Sequence, residues 1–292
     1  MAQWCRACWL GSVAVLCSIS SLAGQADEPR VTVGGQTYTP RSIVERNMGS
    51  DEDQTTPFTP HRIIGNIYYV GTRTLSSFLI TTPTGHILLN TTYERNVEGI
   101  RTSIEALGFQ FSDVRLVLGN HAHGDHMEGD ALAKELTGAQ VVVMAADRTM
   151  LEGIRPGDRP HPVDRTVTDG EDVELGGTVL TAHLTAGHTP GCTAWTMTVQ
   201  EGDRDYDVVF FCSLRAPGRL TPETTAQLER SLGVARQLPC DVPLGDHPAQ
   251  YRMEEKYNRL RGGSQLAFVE PTGCTTEVDI QEAMFRALLP AR

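Results

Sequence analysis

The feature that most restricts the fold is a run of metal-ligating side chains between a strand pattern and a helix pattern. His121, His123, Asp125 and His126 lie within six residues, and small residues separate them. They follow the apolar, β-branched run 114–118 and precede a segment with helical spacing. Imidazole nitrogens and carboxylate oxygens are ligands that Zn²⁺ accepts. The run therefore predicts a metal site on a strand-to-helix loop rather than a surface histidine tract.

Two further histidines follow predicted strands and lie in sharp turns. His188 is the second residue of the sequence Gly-His-Thr-Pro-Gly, and His247 is the third residue of Gly-Asp-His-Pro. Glycine and proline fix turns that project a side chain from a strand end. Alone, each histidine reads as structural, but beside the upstream run we interpret both as ligands. The other histidines lack such a setting, and we expect His183 to be a core residue of a strand.

Strand and helix patterns alternate along the chain and indicate an α/β fold. Strands are predicted at residues 66–70, 77–80, 86–90, 114–118, 140–144, 178–185, 193–199, 206–212 and 241–244. Helices are predicted at residues 94–107, 128–136, 221–238, 251–261 and 277–289. No Pro/Ser linker interrupts this alternation. We therefore expect one domain over residues 27–292, in which residues 27–60 form an extended N-terminal arm.

Residues 1–26 have the pattern of a secretory signal peptide. One arginine precedes an apolar or small run, and small-x-small sites end at Ala23 and Ala26, either of which fits cleavage. A membrane anchor is the alternative, but the run is shorter than the roughly 20 residues that a bilayer span needs. Lipidation of Cys17 is disfavoured because Leu16 stands where a small residue is expected. We predict a periplasmic protein.

The charge balance excludes two classes of partner. The net charge is −11, and removal of residues 1–26 takes away one arginine and no acid, which gives −12. Nucleic-acid-binding proteins carry a basic footprint, and anionic membranes attract basic segments. We therefore expect no nucleic-acid partner, and no membrane partner after removal of the signal peptide.

Four of the seven cysteines lie outside the predicted signal peptide, which permits two disulfides in an exported protein. They are Cys192, Cys212, Cys240 and Cys274.

From about Ile63 to its end, the chain resembles the metallo-β-lactamase superfamily through the His-x-His-x-Asp-His run and the two later histidines. The resemblance implies an αββα sandwich of two similar halves, with metals in a cleft at one edge of the two sheets. It also implies two zinc ions per chain. The first would be held by His121, His123 and His188, and the second by Asp125, His126 and His247.

One position indicates the branch of the superfamily. Many relatives end a late strand with Gly-Asp, whose carboxylate bridges both metals, but here Cys212 and Ser213 stand there. One β-lactamase subclass uses a Cys ligand at this place, yet it does not have a histidine directly after the Asp, as His126 does. Residues 187–195 and 238–248 resemble the third subclass of class B β-lactamases, which carries Ser at this strand end. We align Ser213 with that serine.

The cysteines fit this placement. A pair near residues 240 and 274 recurs in the third subclass, which implies a Cys240–Cys274 bridge. In a hairpin centred near Gly202 and Asp203, Cys192 lies nearly opposite Cys212, so we also predict that bridge. The alternative for the second pair is two small buried thiols, and a free Cys212 would restore its reading as a ligand.

The resemblance implies a hydrolase that opens the β-lactam ring of penicillins, cephalosporins and carbapenems through a zinc-bound hydroxide. Asp125 would be the catalytic carboxylate, and Ser213 and Arg215 would bind the substrate carboxylate. We expect a monomer that acts on small molecules, with Phe58 as a possible wall of the cleft. Asn90 replaces an Asp that orients a metal ligand in many relatives. The alternatives are a zinc hydrolase of lactones or thioesters and a non-catalytic periplasmic zinc-binding protein.

Overall fold

The structure, a computed structural model, describes residues 28–290. The predicted signal peptide, residues 1–26, lies outside the described residues. Among the helices of the described part, none combines the length and the apolar composition that a bilayer crossing requires.

The described residues form three sheets. In chain order the strands are β1 (Val31–Val33), β2 (Gln36–Tyr38), β3 (His61–Ile64), β4 (Ile67–Tyr69), β5 (Phe78–Thr82), β6 (Gly85–Leu89), β7 (Val114–Leu118), β8 (Gln140–Met144), β9 (Arg165–Val167), β10 (Asp172–Leu175), β11 (Thr178–Leu184), β12 (Thr193–Glu201), β13 (Arg204–Phe211) and β14 (Val242–Gly245). Strands β3 to β9 form one sheet in sequence order, β10 to β14 form a second, and β1 pairs with β2.

The helices of the described residues are α1 (Pro40–Met48), α2 (Val97–Ala106), α3 (Gly124–Met127), α4 (Asp130–Thr137), α5 (Arg148–Leu151), α6 (Pro222–Gln237), α7 (Met253–Arg261) and α8 (Gly273–Leu288). Thr221 caps α6, and Pro222 occupies its first turn, as the sequence predicts. The predicted strands and helices are all present, with small shifts of their ends.

The two large sheets pack face to face around a shared core. Strand alternation sends every second side chain into the space between them, including Phe78 from β5 and Phe210 from β13. The centroids of these two rings lie 5.0 Å apart. Trp195 on β12 is fully buried in the same layer and donates from its indole nitrogen to the carbonyl of Gly119. The core thus joins the second sheet to the chain that leaves β7.

Helices cover both outer faces. Ile100 and Ile104 of α2 and Ala133 of α4 pack on the first sheet. Leu228 and Leu232 of α6, together with Phe285 and other residues of α8, pack on the second. The layers therefore run helix, sheet, sheet, helix, and the predicted αββα sandwich is confirmed.

The expectation of an extended arm at residues 27–60 is wrong, because this segment contains β1, β2 and α1. Thr39 caps α1 by accepting from the Ser42 amide, and Pro40 occupies its first turn. The helix packs on α8 through Ile43, which joins a buried cluster with Ile280 and Met284. Few of its residues are apolar, so its stability depends on contacts with a distant element that the local sequence does not reveal.

Arg46 fastens α1 to α8. Its Nη2 atom donates to both carboxylate oxygens of Glu277 at 2.9 Å, across 231 residues of sequence. A forked arginine–carboxylate contact fixes orientation as well as distance. The position of α1 therefore depends on the C-terminal helix.

The expectation that His183 is a core residue is also wrong. On β11 the side chains of Leu180 and Ala182 point into the core, so alternation places His183 on the outer face. It is half-buried there, and its Nε2 atom lies 2.8 Å from Thr196 Oγ1.

His161 ties the connection between α5 and β9 to the first half of the molecule. Its side chain is buried, and its Nε2 atom lies 3.1 Å from Asp130 Oδ2 and 3.1 Å from the Met127 carbonyl. Thr91 donates to the other oxygen of Asp130 at 2.6 Å. Burial lowers the pKa of His161, but the hydrogen bond and charge of Asp130 outweigh burial and leave the pKa above its ordinary value.

We expect the His161–Asp130 contact to stabilise the fold most at acid pH. Because the folded-state pKa is raised, its contribution is fully present below the unfolded pKa of about 6.5 and is lost as pH rises through the folded value. Chemical unfolding of the wild type and His161→Gln from pH 5.5 to 9 measures this, at equal zinc content. The free energy of unfolding of the wild type should exceed that of the variant by the largest amount at low pH. If this difference in free energy is the same at every pH, the assignment is wrong.

Candidate metal centre

Three loops bring the predicted ligands to one edge of the sandwich. The first leaves β7 and carries His121 and His123 before α3 begins at Gly124. The second joins β11 to β12 and carries His188, and the third leaves β14 and carries His247. Side chains from both large sheets therefore meet at the same end of the core.

The structure brings the six predicted ligands together in two groups of three. Ligand atoms of His121, His123 and His188 lie within 4.8 Å of one another. Ligand atoms of Asp125, His126 and His247 satisfy the same limit. The groups adjoin, since the ring centroids of His121 and His126 are 4.3 Å apart. Each group could hold a metal ion.

Distances in the second group suit a shared ion. Asp125 Oδ2 lies 3.1 Å from His126 Nε2 and 3.8 Å from His247 Nε2. Two ligands about 2.0–2.1 Å from a tetrahedral zinc ion lie roughly 3.3–3.4 Å from each other. Among residues 28–290, no group forms a well-aligned hydrogen bond with Nε2 of His121 or with either ring nitrogen of His126, and all three nitrogens are buried. The residues present therefore fit zinc, which would take one nitrogen of each of these two rings as a ligand.

Contacts on the far side of the rings orient three of the histidines. His188 Nδ1 lies 3.0 Å from the Arg215 carbonyl, and His247 Nδ1 lies 3.0 Å from the Thr74 carbonyl. His121 Nδ1 lies 3.3 Å from Asp246 Oδ2. Such contacts place the proton on Nδ1 and leave Nε2 as the ligand atom.

The surroundings favour neutral forms of three of the histidines and the ionised form of Asp125. Burial is the main cause that lowers the pKa values of His121, His188 and His247. His126 differs from them: burial lowers its pKa, but the adjacent Asp125 outweighs burial and leaves the pKa above its ordinary value. Burial alone would raise the pKa of Asp125, but the adjacent His126 and His247 outweigh it and hold the pKa well below its ordinary range. Neutral imidazoles and a charged carboxylate are the forms that bind a metal.

Asp147 links the loop after β7 to the loop between β11 and β12, a role that the sequence did not predict. This buried carboxylate accepts from the Ala122 amide at 2.8 Å, between the first two histidines. It also accepts from Thr189 Oγ1 at 2.8 Å and from the Gly191 amide at 2.6 Å, both in the loop just after His188. Asp147 stands alone after strand β8, outside any ligand motif, so only the proximity of the two loops reveals its role.

A second buried carboxylate, Asp246, contacts a predicted metal ligand. From the sequence, this orienting role is expected at residue 90. The amide of Asn90 pairs with the side chain of Asn120 at 2.7 Å and does not contact a metal-ligand ring. Asp246 is buried, lies beside His121, and accepts from the Ser213 amide at 3.0 Å. The orienting carboxylate therefore comes from the loop after β14, next to His247.

Ser213 and Arg215 line the same cleft as the six ligands. The cleft has a volume of about 270 Å³. Its remaining wall comes from α1 through Val44, Asn47 and Met48. The expectation that Phe58 walls the cleft is wrong, because Phe58 packs instead against Tyr69 and Tyr257, with ring centroids 6.0 and 5.0 Å away.

The structure contains both predicted disulfides. Cys192 joins Cys212, whose Sγ lies 3.5 Å from His121 Nδ1, and Cys240 joins Cys274 at the start of α8. Because Cys212 is in a disulfide, the reading of Cys212 as a thiolate ligand is not supported.

Comparisons with known proteins agree with this geometry. The sequence profile of the metallo-β-lactamase superfamily matches residues 70–201. The native FEZ-1 metallo-β-lactamase from Legionella gormanii is 40% identical, with a TM-score of 0.76 over 80% of this chain and 95% of that one. BJP-1, a subclass B3 metallo-β-lactamase of Bradyrhizobium japonicum, is 38% identical, with the same TM-score over 80% and 95%.

A more distant similarity concerns curated sequences. A hydroxyacylglutathione hydrolase of Methylococcus capsulatus is 32% identical over 143 residues, which are 48% of this chain and 50% of the relative. The chain thus spans about half the length of the curated relatives it matches.

The chain belongs to the metallo-β-lactamase superfamily. Within it, the chain is similar to the subclass B3 enzymes over most of its described length, as the Asp-His-His group at residues 125, 126 and 247 predicts.

We expect Asp147→Ala to weaken both the fold and metal binding. Three buried donors would lose their acceptor, at about 1–3 kcal/mol each, so the free energy of unfolding should fall by roughly 3–9 kcal/mol. Zinc content, measured by atomic absorption after dialysis against a weak chelator, should also fall. The exposed Asp205→Ala is the matched control. A variant with full zinc content and unchanged stability would show that Asp147 does not position the loops.

Proposed function

We propose that this protein is a di-zinc β-lactamase that hydrolyses the ring amide of penicillins, cephalosporins and carbapenems. One observation carries the proposal. Two adjoining three-ligand groups share a cleft with a serine and an arginine that suit a substrate carboxylate. A purely structural zinc site is closed by four protein ligands, whereas each group here supplies three.

In this proposal the two ligand groups would hold the metal ions, and the other polar residues of the cleft would bind the substrate. Zinc ions bound there would polarise a carbonyl group and lower the pKa of coordinated water towards about 7. His121, His123 and His188 would hold one ion. Asp125, the candidate catalytic carboxylate, would hold the second with His126 and His247.

Ser213 and Arg215 are the proposed carboxylate-binding pair. The guanidinium of Arg215 offers planar paired donors that match a carboxylate, and Ser213 adds a hydroxyl. The chain's net charge of −11 gives no general attraction for an anionic substrate, so this local pair must provide it.

The similarity to hydroxyacylglutathione hydrolases supports a thioesterase as the second candidate. Against it, the end of β13 offers no carboxylate that bridges two metals. Cys212 is in a disulfide there, and Ser213 lines the cleft. The β-lactamase is therefore the favoured function.

We also propose export to the periplasm, where such an enzyme would confer resistance by meeting antibiotics before they reach their targets. The signal-peptide pattern of residues 1–26 supports this proposal. The two disulfides support it independently, because disulfides persist in oxidising compartments.

We expect the zinc-loaded protein to hydrolyse a penicillin, a cephalosporin and a carbapenem, and to lose this activity when zinc is chelated. A glutathione thioester assayed in parallel separates the two candidates. Ring opening is followed by ultraviolet absorbance, and readdition of zinc is the control for irreversible damage. Turnover of the thioester alone would favour the second candidate, and turnover that survives chelation would exclude the metal mechanism.

Metal stoichiometry tests the second group separately. We expect two zinc ions per wild-type chain and one in His126→Ala, because Asp125 and His247 alone offer too few ligands. His183→Ala, which removes a half-buried histidine outside the site, is the matched control and should keep two. If His126→Ala also keeps two ions, the assignment of the second site is wrong.

A further inference from the structure

A second cavity adjoins the metal cleft along two continuous walls. One wall is a single face of α1, where Arg41 and Val44 line the cavity and Val44, Asn47 and Met48 line the cleft. These positions are three or four residues apart and therefore share a side of the helix. The other wall is the chain after β13, where Arg215 lines both spaces. The cavity, which we call the α1–α8 groove, is thus an extension of the cleft.

The lining of the α1–α8 groove is mainly apolar. Ala216 and Pro217 form one side, and Met284 and Leu288 of α8 form another. Val44 and Leu288 are large apolar side chains that remain 39% and 37% exposed. Exposed apolar side chains gathered in a concave space favour an apolar ligand group.

Size also favours a two-part site. Pockets for drug-sized ligands occupy roughly 300–1,000 Å³. The metal cleft has about 270 Å³, and the α1–α8 groove has about 550 Å³. The cleft alone is smaller than such pockets, whereas the cleft and the groove together fall within that range, so a large substituent has room in the groove.

Charge at the rim restricts what enters. Glu28 and Glu45 lie on the rim, with Arg41 beside them. One oxygen of Glu28 accepts from the Arg41 backbone amide at 2.9 Å. Two carboxylates disfavour an anionic group at this entrance, whereas the Arg215 side chain at the junction suits an anion on the cleft side.

We propose that the α1–α8 groove is a substrate subsite for an uncharged, apolar substituent on the ring carbon next to the carbon that bears the carboxylate. The inference rests on the proposed β-lactamase function. With the carboxylate held at the junction by Arg215, a substituent on the neighbouring carbon lies at the entrance of the groove. Cephalosporins and carbapenems both carry their variable side group on that neighbouring carbon.

Two cephalosporins with the same acyl side chain test the subsite. One carries methyl on that ring carbon, and the other carries a large aryl-containing group. We expect Leu288→Glu to raise KM for the aryl compound about fivefold or more and to leave the methyl compound within about twofold, because it places a charge in the apolar groove. Leu136→Glu, another exposed apolar residue on α4, is the control and should change neither value.

The other outcomes are decisive as well. Equal changes for both compounds, or none, overturn the subsite while the β-lactamase function stands. If the wild type hydrolyses neither compound, the proposed function fails and the subsite fails with it. If Leu288→Glu does not fold, Leu288→Ala applies the same test with a smaller increase in KM. Size-exclusion chromatography tests whether a second copy of the chain occupies the groove. If the wild type is a dimer and Leu288→Glu is a monomer, a second copy is the occupant and the proposal is overturned.

Discussion

The buried carboxylate of Asp147 is the interaction on which the metal centre depends. The histidines of the first group come from loops of two different sheets, and zinc tolerates ligand distances only within about 0.2 Å. Packing of side chains in the shared core positions the two sheets less precisely than this tolerance of ligand distances. The hydrogen bonds of Asp147 to Ala122, Thr189 and Gly191 fix the loops to each other directly. The shape of the cleft beside these loops therefore depends on the hydrogen bonds of Asp147.

The price of this arrangement is a set of buried polar groups that the protein alone does not satisfy. Nitrogens of His121 and His126 lack partners within the described residues, and burial together with the neighbouring imidazoles lowers the pKa of His121. A bound metal would take one nitrogen of each ring as a ligand, so the free energy of metal binding adds to the stability of the fold. Asp246 beside His121 and the carbonyls beside His188 and His247 keep the rings in place before that happens.

The sequence was sufficient for the parts of the structure that depend on local patterns. The six ligands lie in loops marked by glycine and proline, and the main strands follow alternation or apolar runs. The sequence was insufficient for the parts of the structure that contacts between distant residues determine. Helix α1 has few apolar residues and is stabilised by α8, and its Thr39-Pro40 start resembles the start of α6 but was not recognised. Asp147 and Asp246 act through contacts that only the folded chain brings together, and Asn90 contacts Asn120 where relatives suggested a different role.

The link between α1 and α8 has a consequence for the order of folding. The wall of the cleft is built from the first helix of the described chain and is held by the last, through Arg46 and Glu277. Contacts so distant in sequence form slowly, because the entropy cost of closing a long loop must be met before the contact forms. The loops that bear the metal ligands precede α8 and do not require it for their hydrogen bonds to Asp147. A nascent chain can therefore assemble its metal ligands before it has a complete substrate cleft.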